Sequence, residues 1–130
     1  MKRALAVLLL VAGCGGAPVE VTACEGLLKP ADPAATLPAG IPALDGQVLY
    51  GPSTQGKTHI VFGRVAGDFV PVRDQLVVKL KAAGWTIDGT DQETVEAEAQ
   101  FSRQPPLQAG SVKVEPLCEG TVEIRYRLSE

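Results

Sequence analysis

The sequence predicts a two-layer α+β domain, an antiparallel sheet of five or six strands with one helix packed on one face. Three observations carry that expectation. Mid-chain, apolar residues recur at steps of three and four; around that stretch, several runs alternate apolar and polar residues; and clusters of Gly, Pro, Ser and Asp separate them. At 130 residues the chain has the size of one domain with room for a single core.

Taken in order, Gln47-Val48-Leu49-Tyr50 and Thr58-His59-Ile60-Val61-Phe62 are β-branched and aromatic runs, expected to pair as a hairpin about the turn-rich insert Gly51 to Gly56. Asp68 is a good N-cap, and Pro71 falls in the first helical turn, where its missing N–H costs little. Phe69, Val72, Leu76, Leu80 and Ala83 then line one stripe. Gly84 stands at the position after the helix that favours a left-handed residue, and Trp85 can fold back onto Leu80. Trp85 is therefore expected to be a core anchor and helix stop. Trp85-Thr86-Ile87-Asp88 begins a strand; in Val95 to Phe101 the odd positions are apolar, and in Val122 to Leu128 the even ones. Val112-Lys113-Val114-Glu115 behaves likewise. Each strand has one wet face, as in an antiparallel sheet with a single dry side. Pro105-Pro106 and Gln108-Ala109-Gly110 are expected to form a loop, and Pro116 a strand end.

The N-terminus carries a different message. Lys2 and Arg3 precede an apolar stretch from Ala4 to Ala12, and small Gly13 precedes Cys14, the three parts of an export signal. The run is too short for a membrane helix, which needs about 20 apolar residues. Val11-Ala12-Gly13-Cys14 fits the lipobox, at which a bacterial signal peptide is removed and the new N-terminal cysteine is lipidated. The expected organisation is a leader over 1–13, a tether and lead-in over 14–46, and an α+β domain over 47–130. Removal of the leader leaves about 117 residues and shifts the formal charge from −3 to about −5. Such a surface does not suit nucleic acid or electrostatic attachment to anionic headgroups; attachment would depend on acyl chains, two or more of which make a stable anchor.

Cysteine parity agrees. Of three cysteines, lipidation of Cys14 leaves Cys24 and Cys118 as an even pair in a compartment where disulfides persist. A thiol metal site lacks further soft ligands, since His59 is the single histidine and there is no C-x-x-C spacing; neither a metal nor a cofactor is expected. Pro18, Pro30, Pro33, Pro38 and Pro42, interleaved with Ala and Gly, make residues 15–46 read as extended, poorly packing chain. With Cys24 stapled, about ten residues stay free between lipid and domain, a reach of at most roughly 35 Å.

Gly51-Pro52-Ser53-Thr54-Gln55-Gly56-Lys57-Thr58 matches the phosphate-loop pattern G-x-x-x-x-G-K-[ST]. That chemistry needs a helix directly after the loop, so that backbone N–H groups and the helix dipole converge on phosphate. Here the β-rich His59-Ile60-Val61-Phe62-Gly63 follows, and the expectation is a polar hairpin turn with Lys57 a solvated charge. A triad on His59 lacks a marked nucleophile, Ser53, Ser102 and Ser111 all standing in loop-like surroundings. Glu96 and Glu98 share a sheet face, and two carboxylates can do acid–base work. On the wet side of a strand they more ordinarily pair across to basic residues, and Lys113, Arg125 and Arg127 are the natural partners.

From Leu37 to Phe101, about half the chain, Leu37-Pro38-Ala39-Gly40-Ile41-Pro42 leads into a hairpin, a helix ends in Leu80-Lys81-Ala82-Ala83-Gly84-Trp85, and an alternating strand follows. This layout resembles the small uncharacterised lipoproteins of bacteria, a lipobox followed by a compact β-β-α-β domain. The resemblance implies no activity, and it carries over no functional residue beyond the lipid-bearing Cys14. In a two-membrane envelope, the sorting rule of such lipoproteins implies the outer membrane, because Gly15 is not aspartate. The function expected is a lipid-anchored extracytoplasmic binding or structural module with no assigned catalytic residues, its partners the membrane and an envelope protein or ligand. The alternatives are an envelope hydrolase using surface carboxylates and, more remotely, nucleotide binding at Gly51 to Thr58.

Overall fold

The computed structural model describes residues 22–130; the expected leader, Cys14 and the start of the tether lie outside them. The described chain runs β1 (Val48–Gln55), β2 (Thr58–Ala66), α1 (Phe69–Ala82), β3 (Thr86–Glu93), β4 (Glu96–Arg103), β5 (Gln108–Cys118) and β6 (Thr121–Ser129). The strands form one six-stranded sheet in the order β1-β2-β6-β5-β4-β3, and every neighbouring pair is antiparallel. The helix packs against β3, β4 and β5. The fold is α+β, with a sheet covered on one face.

The alternation of side chains along each strand sorts the residues by face. Val61, Val122, Ile124, Tyr126, Leu128, Val112, Val114, Ala99 and Phe101 are all buried and, with Val72, Leu76 and Leu80 of the helix, make one core; Ala97 is buried too. The helix ends as its sequence suggests. Trp85 N–H donates to Leu80 C=O at 3.0 Å and Gly84 N–H to Lys81 C=O at 3.1 Å, the paired bonds of a Schellman stop with Gly84 at φ +93°. Asp68 occupies the N-cap, but its carboxylate makes no capping bond. Trp85 is buried, meets the Phe101 ring edge-on at 5.0 Å between centroids and donates its indole N–H to Gly40 C=O at 2.8 Å.

Three local expectations are corrected. The insert Gly51 to Gly56 is strand as far as Gln55, and only Gly56 and Lys57 turn the hairpin. Gly51, at φ +62°, sits in an irregularity of the ladder between Tyr50 and Ser53, which accommodates Pro52 on an edge strand where no ladder donor is needed. Gln108 to Gly110 is likewise strand. A Cβ on Gly110 would collide with the Arg127 carbonyl and lie 2.8 Å from the Phe101 ring, so this glycine admits a neighbour and does not mark a loop. Pro116 lies within β5, beside an irregularity that ends before Cys118.

The Pro-rich lead-in also packs better than its composition suggests. Ala35, Ile41 and Leu44 are buried and belong to the core, Asp32 N–H donates to Leu49 C=O on the free edge of β1 at 2.9 Å, and Glu119 N–H donates to Thr22 C=O at 2.8 Å. The segment is not the extended chain its prolines suggest: turns closed by Leu27 N–H to Cys24 C=O, Ala35 N–H to Asp32 C=O, Ile41 N–H to Pro38 C=O and Gln47 N–H to Leu44 C=O fold it against the sheet, and isolated apolar residues drop onto the core, a pattern without helix or strand periodicity. Arg103 clamps it, with its guanidinium 4.0 Å from the Trp85 ring centroid and a 3.2 Å bond from Nη2 to Ala39 C=O. Cys24 and Cys118 are disulfide-bonded across a sequence separation of 94 residues.

On the chain-entropy account, a loop of that length stabilises the fold by about 4 to 5 kcal/mol, and loss of a native disulfide from a small domain typically costs about 2 to 5 kcal/mol. Reduction, or Cys118→Ala, is expected to lower the melting temperature by roughly 10 °C or more. An unchanged calorimetric melting curve would refute the structural role of the bridge.

Candidate functional site

With the inner face filled, the chemistry-bearing residues collect on the outer face of the sheet. Strand register sets them in rows. One row runs Asp91, Glu98, Lys113, Arg125, Phe62 and Tyr50; the next runs Gly89, Gln100, Ser111, Arg127, Ile60 and Ser53. At one end Glu93 faces Glu96, and Glu115 faces Glu123, which in turn faces Arg64.

The acidic end is partly neutralised. Lys113 Nζ lies 2.9 Å from Glu96 Oε2, and this bond holds the Glu96 carboxyl below its ordinary range while raising Lys113. Glu93, beside the Glu96 charge, is pushed the other way. Tyr50 donates its hydroxyl to Glu123 and stacks on Phe62 at 6.2 Å, with Lys29 Nζ 5.6 Å from its centroid. Burial and the neighbouring Glu123 carboxylate both raise the Tyr50 phenol. The buried Tyr126, on the inner face, is raised by burial although its hydroxyl reaches Gln47 Oε1 at 2.6 Å.

Across β4, β5 and β6 the outer face dips into a hollow of about 370 Å³, lined by Glu98, Gln100, Ala109, Gly110, Ser111, Arg127 and Ser129. Its origin is steric. The stretch of β5 from Ala109 to Ser111 carries small side chains, and longer ones stand on both neighbouring strands.

The expected site residues divide accordingly. Glu96 and Glu98 share the outer face, but Glu96 is engaged by Lys113 and only Glu98 reaches the hollow. His59 pairs with Leu128 on the inner side, its Nδ1 3.3 Å from Thr54 Oγ1, so the sheet separates it from both carboxylates. Ser53, Ser102 and Ser111 stand in β1, β4 and β5, not in loops as expected; Ser53 lines a small hollow together with His59, but among the described residues it is Thr54, not a serine, that bonds the imidazole. Thr58 opens β2, where phosphate-loop chemistry would need a helix. Among the described residues no group of three or more His, Cys, Asp or Glu could hold a metal ion.

Two arginines gave no signal in the sequence. Arg73 is buried in α1 and donates to Asp91 C=O on the edge strand β3 at 2.9 Å; it flanks the apolar stripe, where a charge looks solvated. Arg103 lies over Trp85, a pairing that follows from strand order. Compared with protein-family models, curated proteins and solved structures, the chain matches none.

The Glu93 shift gives a test with a definite sign. A carboxyl whose folded pKa is raised loses stability as pH climbs from its unfolded value near 4.5 through the raised one, and the loss persists above it. Glu93→Gln is therefore expected to raise the melting temperature at pH 7, by an amount that vanishes below about pH 4 and shrinks with added salt. A lower melting temperature for the variant at pH 7 would contradict the repulsion between Glu93 and Glu96.

Proposed function

We propose that this chain is a lipid-anchored protein of the bacterial cell envelope, attached through Cys14, whose folded domain is a binding module presenting the outer sheet face. The observation that carries the location is the pairing of the cysteines. Cys24 and Cys118 are bonded to each other, which leaves Cys14, directly after Val11-Ala12-Gly13, as the one cysteine outside the bridge. A disulfide closing most of a small domain suits an oxidising compartment, and a leader with a cationic start and short apolar stretch suits export.

The anchor and the bridge act together. The bridge fixes residue 24 to the end of β5, so roughly ten residues, at most about 35 Å of chain, separate the lipid from the domain. The domain is thereby held near the bilayer surface, at the outer membrane or cell surface, without any helix long and apolar enough to cross a membrane among the described residues. The binding role is supported by the hollow on the outer face and by Gln100 and Ser111 in its lining, whose side chains have no hydrogen-bond partner among the described residues.

Cys14→Ala is expected to move the protein from the membrane to the soluble fraction with its thermal unfolding unchanged, and mass spectrometry of the wild type should find a mature N-terminus at Cys14 carrying acyl chains. An intact, unacylated chain beginning at Met1 in the cytosol would overturn the proposal.

A further inference from the structure

We propose that the outer-face hollow is a binding site for a short zwitterionic peptide, a dipeptide in size, with its ammonium group on Glu98 and its carboxylate on Arg127. The inference rests on the reading of the domain as a binding module, and not on the anchor. Glu98 and Arg127 line opposite sides of the same hollow, on β4 and β6, with β5 between them. Their strands stand about 10 Å apart, two sheet spacings, and Arg127 lies in the next row, about 7 Å further along, so the ligand would lie diagonally across β5. Neither residue is in an ion pair among the described residues, where the pairs are Lys113 with Glu96 and Arg73 with Asp74. Two opposite charges that face one hollow without meeting each other are a template for a ligand carrying the complementary pair.

The groups between them select what joins the ligand's charges. Gln100 and Ser111 line the hollow in one row with Arg127, and neither side chain has a hydrogen-bond partner among the described residues, whereas the Ser129 hydroxyl is held by Thr58 at 2.8 Å. An amide and a hydroxyl together offer donors and acceptors, the complement of a peptide unit. Size agrees. The volume of about 370 Å³ is near the lower end of small-molecule sites, roughly 300 to 1,000 Å³. An extended dipeptide spans about 7 Å between its ends, leaving room for the Glu98 and Arg127 side chains to close on it. A free amino acid, with both charges on one carbon, cannot meet both walls and Gln100 at once.

The test uses the protein as it is purified from cells, in detergent micelles, titrated with alanyl-alanine and followed by amide chemical shifts and calorimetry. Saturable binding is expected, with the largest shifts at Glu98, Ser111 and Arg127. N-acetylation or C-amidation of the dipeptide should each weaken binding at least tenfold, and free alanine should bind at least tenfold more weakly. Glu98→Gln should remove the penalty of N-acetylation alone, and Arg127→Gln that of C-amidation alone, an assignment that no general loss of folding could imitate. Absence of saturable shifts, equal binding of the doubly capped dipeptide, or shifts centred elsewhere would overturn the site. Binding of free alanine as tight as that of the dipeptide would overturn the assignment to a peptide. Membrane fractionation of the same proteins reads the anchor separately, so loss of the ligand site and loss of the anchor give different results.

Discussion

A helix of 14 residues is about 21 Å long and 10 Å wide, whereas six strands at about 4.8 Å spacing form a sheet some 29 Å across. That mismatch governs the architecture. The helix serves β3, β4 and β5, and the dry face of β6, β2 and β1 needs another cover. Residues 35–44 of the lead-in provide it. Ala35, Ile41 and Leu44 fill the uncovered part of the core, and Asp32 occupies the free edge of β1. Trp85 is the joint between the two covers: it leaves the end of α1, packs on Phe101 and holds Gly40 of the lead-in by its indole N–H. Arg103 closes over it from the outside.

The same constraint explains why the disulfide sits where it does. A segment whose own backbone bonds are isolated turns gains little from local structure, and ordering it costs roughly 1 to 2 kcal/mol per residue in backbone entropy. Tying Cys24 to Cys118 reduces that cost by limiting the alternatives open to the unfolded chain. The segment then protects one sheet edge. The opposite edge, β3, carries Asp88, Asp91 and Glu93, and charge on an exposed edge discourages strand addition.

Much of this was legible in the sequence wherever a local rule and the tertiary environment agree. The helix stripe from Phe69 to Leu80, its Gly84 stop, Trp85 as a core anchor, the alternating strands and the cysteine pair are of that kind, whereas Ala83, the helix C-cap, and Val95, in the turn before β4, were expected on the dry side and are exposed. Composition misled at Gly51 to Gln55 and at Gln108 to Gly110, because Gly and Pro also serve in strands, at an edge irregularity and under the Phe101 ring. The buried lead-in escaped because Ala35, Ile41 and Leu44 follow no period. The outer face was legible as a set of charged strand positions, including Glu96 with Lys113. The hollow was not. It depends on β5 lying between β4 and β6, so that Ser111 falls between Gln100 and Arg127, and strand order is not written in any one segment.

Native-state hydrogen exchange tests most directly whether the lead-in is part of the core. The amide of Asp32 and the indole N–H of Trp85 should be protected to nearly the same opening free energy as the amides of β6, and reduction of the disulfide should lower that protection. Exchange at Asp32 and Trp85 as fast as in an unfolded chain, with β6 still protected, would show that the sheet stands without its second cover and would contradict the account.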